Sequence, residues 1–416
     1  MQELIAYIIS YLARQEYTLE SLICYSADPV VWREHRIAIV PSGFFTSPLY
    51  LHPKSLPTPP YYTINDTPLL FGDDRVEQVG DTLVIYADII ASSFFFLSRY
   101  EEVVSARRDE HGRFLAEYSL QKRLDILHRP IVDEYGELLR TWMAEAGLKI
   151  NNLDGAYNSI NLTFDVDLPL RYHRPIHART PAAFKGYLTS IKDDPYFTYP
   201  MLTDAYQRFN DRYPGRARLI GFWLMSKETH YSLASWRIRE LFEYLIETSG
   251  LEIGLHCSYA SGVDSAYIYK EYDELQSKLD SAVRTSRHHY LRQLSPADYH
   301  HITAAGIHED YTMGYADCAG FRLGTSRAVR AINPISMQLE SLILYPLTMM
   351  ECTLDRPQYM GLTYDQAFDY VKQLCSQTRR HRGDLTLLWH NNSLADRIGS
   401  YQQRLMSALV DHIISN

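Results

Sequence analysis

Two carboxylates close an apolar run. In "INLTFDVD", residues 160–167, Asp165 and Asp167 are separated by Val166 alone. If this run is a strand, side chains two positions apart project from one face, so both acids leave it together. Carboxylates that close repel each other unless a proton, an arginine or a metal ion lies between them. The pair therefore requires a positive partner, and the chain offers several. His256 ends the apolar "LEIGLH", and His289 falls in the cationic "SRHHYLR". Arg322 stands between Gly320 and Gly324 in "GFRLGT", and His390 closes "LTLLWH". Carboxylate and imidazole together are the ligand types of a divalent metal centre and common groups for general acid–base work. Each residue also has a plainer role. An Asp can cap a loop, a buried His can bond a backbone carbonyl, a cationic run can be a solvated face, and an Arg can pair on the surface.

The elements that must position these groups come next. Beyond about residue 155 the strand-like segments are "INLTFD", "RLIGFWLM", "LEIGLH", "HHYLR", "DYTMGY", "ILYPLTMM" and "DLTLLWH". Between most of them lie helical patterns such as "SLASWRIRELFEYLIETSG" and "LTYDQAFDYVKQLCSQTRRHRG". That alternation specifies parallel βα units, in an α/β barrel or a doubly wound sheet. In either, the carboxyl ends of the strands form the functional face, so the acids and imidazoles are expected at one rim. Within "HHYLR", alternation sends one histidine inward and the other outward. Before residue 155 the pattern is mixed: a helix near 3 to 16, strands in "HRIAIVPS" and "DTLVIYAD", and a helical "DIIASSFFFLSRYEEVV". A complete helix follows in "RPIVDEYGELLRTWMAEAGLKI", between Pro130 and Gly147. This describes a smaller α+β domain over 1–155, joined through "NNLDGAYNS" to an α/β domain over 156–416. The charged strings "SRYEE" and "SARRDEHGR" read as solvated helix ends or interdomain contacts.

With 46% hydrophobic and 22% charged residues, the 416-residue chain has a globular composition and length enough for two domains. A net charge of -9 argues against nucleic acid as the main partner. The N-terminus lacks a charged leader region and a small-residue cleavage site, so secretion is not signalled. The apolar run "LVIYADIIASSFFFL" is interrupted by Asp88 and too short to span a bilayer, so no membrane insertion is expected. Five scattered cysteines without C-x-x-C spacing fit a reducing cytoplasm. Nucleophile-elbow, dinucleotide-binding, Walker A and H-E-x-x-H motifs are absent, and those reaction classes lose ground. The 33 tyrosines offer stacking surfaces for sugars as well as packing. Oligomeric state leaves no mark in the sequence.

At "LTFDVD" the chain resembles the polysaccharide deacetylases of the NodB-homology group, over roughly 156–416. "TFDVD" is similar to their first motif, "EIGLH" to the start of the second, "GFRLGT" to the arginine motif and "LLWH" to the last. With "SFFFLSRYEEV" and "HRPIVDEY" upstream, the whole resembles a bacterial subgroup, common in Bacteroidetes, that joins an N-terminal module of unknown role to this barrel. The resemblance implies a deformed (β/α)7-type barrel and a divalent metal, zinc first and cobalt or nickel next. It implies Asp167 and His256 as ligands, Asp165 as general base oriented by Arg322, and His390 as general acid, raised in pKa by Asp355 or Glu351. Trp389 and Tyr259 are the expected contacts to a carbohydrate substrate.

Two departures follow. Val166 separates acids that are adjacent in the family, and Ala260 occupies the place of a second histidine one helical turn after His256. His289 is the expected replacement, since divalent ions accept imidazole from any direction that completes their geometry. The implied activity is removal of N-acetyl groups from an amino sugar. The competing expectations are a metal-free barrel that binds saccharide as a scaffold, and a hydrolase of another C–N bond.

Overall fold

The structure, a computed structural model, describes residues 1–15, 19–150, 153–173, 180–225, 231, 235–395 and 399–415. Residue 16 of the first expected helix, Asn151 and Asn152 of the expected connection, and residues 232–234 of a later helix lie outside them. The first part carries strands β1 (Ile23–Tyr25), β2 (Ile37–Ile39), β3 (Tyr62–Ile64), β4 (Thr67–Leu69), β5 (Gly72–Val79) and β6 (Thr82–Ala87). Four of them form a sheet in the order β1-β2-β6-β5, parallel except for β5 against β6. The later strands are β7 (Ser159–Val166), β8 (Ala217–Leu224), β9 (Leu251–Cys257), β10 (Thr285–His288) and β11 (Glu309–Met313). They are followed by β12 (Val329–Asn333), β13 (Gln338–Pro346), β14 (Met349–Met350) and β15 (Asp384–His390).

These later strands make one sheet in the order β12-β13-β11-β10-β9-β8-β7-β15-β14. All neighbours are parallel except β12, which returns antiparallel on β13. The chain is thus a mixed α/β protein with a large parallel sheet. The resemblance implies a deformed (β/α)7-type barrel; among the described residues the strands form this open order and no closed barrel. The two edge strands are β12, which returns on β13, and the two-residue β14.

The strands read as they do because both faces are covered. From Ile160 to Val166 every residue of β7 is buried, the near-continuous apolar run expected of a parallel strand under helices. Gly254 of "EIGLH" permits close strand packing, since a Cβ there would stand 2.7 Å from the Phe222 ring and 2.4 Å from the Thr285 hydroxyl. Helix Tyr364–Arg380 is held at its start by a reciprocal capping box between Thr363 and Gln366, and buries Ala367, Val371, Leu374, Cys375 and Thr378 on one face.

Two expected elements are cut short. The helix over 88–104 divides into Ile89–Leu97 and Tyr100–Val104 at Arg99, whose φ is +57°. Strand β10 stops at His288, and His289–Leu291 form a tight turn in which Tyr290 and Leu291 have φ of +61° and +53°. Alternation therefore does not distribute the two histidines; the end of the strand does.

The halves on either side of residue 155 share one continuous hydrophobic core. Helix Gln2–Ala13 lies on helix Ile131–Glu145, where a Cβ on Gly136 would come within 2.8 Å of the Leu12 carbonyl oxygen. The buried Asp133 carboxylate accepts bonds from the Thr325 hydroxyl (2.9 Å) and from the Ser326 amide and hydroxyl (2.8 Å each). Among the described residues no helix is long and apolar enough to cross a membrane.

Candidate functional site

Parallel strands share a direction, so the C-terminal ends of β7, β9, β10 and β15 lie along one edge of the sheet. Asp165 sits level with His390 on β15, and His256 is level with Arg287 on β10. Asp165 is only 3% exposed. Its Oδ1 accepts from the Arg287 guanidinium at 2.9 Å. The same guanidinium donates to the Thr163 hydroxyl (2.8 Å) and the Tyr311 carbonyl (3.1 Å), and lies 4.5 Å above the Phe222 ring. A planar fork that is always charged suits this three-way bracing. The positive partner demanded by the first acid is thus Arg287.

The second acid gathers imidazoles. His256 Nε2 is 3.1 Å from Asp167 Oδ1 and 3.7 Å from Asp165 Oδ2. His289 Nε2 and His390 Nε2 lie 3.5 Å and 3.6 Å from Asp167 Oδ2. Burial would raise the Asp167 carboxyl, but His256 and His289 beside it hold it well below the usual carboxylate range. Burial would likewise lower the His256 imidazole, and the facing Asp165 and Asp167 raise it instead.

Metal compatibility follows from the donors themselves. The donor atoms of Asp167, His256 and His289 all lie within 4.8 Å of one another. His256 Nδ1 is 2.9 Å from the Arg287 carbonyl oxygen, which holds a proton on Nδ1, so that in the neutral ring Nε2 carries the lone pair a metal ion would take. Asp167 Oδ1 is buried and accepts no aligned hydrogen bond. One carboxylate and two imidazoles form a donor set suited to zinc, cobalt or nickel, and three protein ligands leave a position open. Ala260 lies in a short turn, Ala260–Gly262, and supplies no ligand atom.

His390 has its own partner. Its Nδ1 is 2.8 Å from Glu351 Oε1, and its backbone amide donates to the same oxygen at 3.0 Å. Burial would lower this imidazole, but the Glu351 charge, with Asp167 and Asp165 beyond it, pushes it up to about 10. Asp355, the other expected partner, instead accepts from Gln402 at 2.9 Å.

Three expectations are corrected. Arg322 does not reach Asp165. It forms a bidentate pair with Glu102 (2.9 and 2.7 Å) and donates to the Gly314 carbonyl. Glu102 comes from the short helix Tyr100–Val104 of the first half and also takes Arg99 at 2.7 Å. Although burial would raise it, these two arginines hold its carboxyl at about 2. Trp389 is 1% exposed and belongs to the core, because neighbours on a strand face opposite ways and His390 takes the rim. Tyr259 does not line the cleft over this site; its ring lies 5.5 Å from that of Tyr290, which does.

A cleft of about 280 Å³ opens over Asp165, Asp167, His289 and His390, with Tyr290 and Tyr359 as its aromatic lining. Arg356 also borders it, as does Arg113, which belongs to the first half of the chain. Sequence reasoning missed Arg287, Tyr290, Tyr359, Arg113 and Arg356. A signal for Arg287 existed: in "TSRH" alternation puts it on the same face as Thr285 and opposite His288. The string "SARRDEHGR" allowed an interdomain contact, but nothing in it singles out Arg113, which arrives through the docking of the two halves.

Fold and site together define a mixed α/β protein with an aspartate–histidine cluster at the C-terminal edge of a parallel sheet. Residues 3–147, about a third of the chain, match the model of a family of unknown function (DUF7033). No curated protein matches the sequence. Among solved structures the chain is similar to "Crystal structure of putative polysaccharide deacetylase from Mycobacterium smegmatis", at 12% identity and a TM-score of 0.38, over 63% of this chain and 86% of that one.

Proposed function

We propose that the protein is a metal-dependent hydrolase that removes the acetyl group from an N-acetylated amino sugar, free or in a surface polysaccharide. The observation that carries this reading is the convergence of Asp167, His256 and His289 donor atoms within 4.8 Å, flanked by Asp165 and His390. Asp167, His256 and His289 would hold a divalent ion, which would supply Lewis acidity toward the acetamide carbonyl and toward water. The chain's own groups do the rest. Arg287 fixes Asp165 by Oδ1, which leaves Oδ2, on the side of His256, to accept the proton of the attacking water. His390, kept protonated by Glu351, gives its proton to the departing amine. The cleft, at about 280 Å³, sits at the small end of ligand sites and suits one sugar unit, with Tyr290 and Tyr359 as stacking faces.

The test is release of acetate, with an equal amount of free amine, from N-acetylglucosamine oligomers by zinc- or cobalt-loaded protein. The expected result is turnover that disappears in Asp165→Asn while metal content stays at one equivalent. Metal-loaded protein that binds these sugars without releasing acetate sinks the reading and favours a saccharide-binding scaffold. Release of ammonia or amine only from non-sugar amides would move the activity to another C–N bond.

A further inference from the structure

The string "SARRDEHGR" and the turn after β10 meet at the cleft, although one belongs to each half of the chain. Asp109 closes its loop on itself. Its Oδ1 accepts from the amides of His111 (3.0 Å) and Arg113 (2.7 Å), and its Oδ2 from Arg113 Nε (2.8 Å). So oriented, the Arg113 guanidinium donates to the Tyr290 carbonyl at 3.1 Å. The His111 ring lies 5.0 Å from the Tyr290 ring, and Tyr290 lies 4.4 Å from His289.

Tyr290 and Leu291 are consecutive non-glycine residues in the left-handed region, with φ of +61° and +53°, directly after His289. Such a conformation persists only where surrounding contacts over-determine it. Farther along, Arg99 donates to the Leu294 carbonyl (2.9 Å) and the Tyr299 hydroxyl (2.8 Å). The segment's own half anchors Arg292 on the Tyr259 carbonyl and Gln293 on Asp310. At the Tyr290 carbonyl, the donor is Arg113.

Resting on the metal-centre reading above, we infer that the first half of the chain completes the site: the Asp109–Arg113 clamp holds the left-handed Tyr290–Leu291 turn, and that turn delivers His289 to the ion in place of the histidine absent at Ala260. Arg113 is then a positioning residue that acts through His289. This gives the 3–147 region a role in the chemistry of the other half. Of this largely exposed loop, Arg113 is the residue that lines the cleft.

The test is cobalt titration of chelator-stripped full-length protein, reading affinity and the visible absorption of the bound ion. Wild type is expected to take one equivalent, and His289→Ala to bind far more weakly. Arg113→Met should lose about 10–100-fold in affinity with an altered absorption band, the range for residues that orient a metal ligand. Arg113→Lys, which keeps a donor for the Tyr290 carbonyl, should recover part of the loss. Circular dichroism establishes that each variant is folded. Should Arg113→Met not fold, Asp109→Asn, which removes the orienting carboxylate, carries the same expected loss. Cobalt affinity in the folded clamp variant within about twofold of wild type overturns the inference and leaves the metal centre standing. Wild type that takes up no cobalt overturns the metal centre and the inference with it.

Discussion

Replacing Arg287 by Met keeps most of its volume and removes its charge. Arg287 is fully buried, and its three donated bonds end on Asp165, Thr163 and Tyr311 at 2.9, 2.8 and 3.1 Å. Asp165, itself 3% exposed, would keep only histidines as cationic neighbours, His256 at 3.7 Å and the raised His390 across the strand pair. Deleting one member of a buried ion pair typically costs about 3–5 kcal/mol, because the remaining charge stays desolvated. The Thr163 and Tyr311 acceptors add about 1 kcal/mol each if left unbonded. Arg287→Met should therefore lower stability by about 5–7 kcal/mol, of which the part due to Asp165 should vanish once that carboxylate is gone. In an Asp165→Asn background the same substitution should cost about 2 kcal/mol, a coupling of about 3–5 kcal/mol in a double-mutant cycle. Guanidinium unfolding followed by circular dichroism at pH 7 measures all four proteins. A loss under about 1 kcal/mol, or equal losses in the two backgrounds, would refute the assignment of Arg287 as the counter-charge of Asp165.

Glu102 makes a second electrostatic prediction. Its carboxyl is held at about 2 against an ordinary 4.5, a difference worth about 3 kcal/mol that is fully present above pH 4.5 and lost as pH falls toward 2. Glu102→Gln should remove that slope from the stability–pH curve between pH 4.5 and 2, and leave a protein less stable at pH 7; an unchanged acid limb in chemical denaturation contradicts it. At the site, Glu351→Gln removes the charge that raises His390 to about 10, so the alkaline limb of kcat/KM should move down by about one pH unit or more. A limb that stays in place assigns the proton donor elsewhere.

How much of this could be read from the chain alone follows from what is local. Apolar runs that end in "DVD", "LH" and "WH" set Asp165, Asp167, His256 and His390 at strand ends, and parallel strands bring such ends to one edge because they share a direction. The alternation of strand and helix patterns likewise marks a large parallel sheet. These signals lie within eight or so residues and depend on backbone geometry, which does not change with context.

Tertiary structure decided which charges meet. Arg322 and Arg287 look equally able to serve Asp165, yet Glu102 from the first half takes Arg322, and the register of β10 beside β9 brings Arg287 to the acid. Trp389 and His390 divide between core and rim by the pleat. His289 enters through a turn that pattern alone extends as a strand, and Arg113 bonds a carbonyl 177 residues away. A long side chain is satisfied by whatever packing places within its reach, and that is a property of the assembled sheets, not of any stretch of sequence.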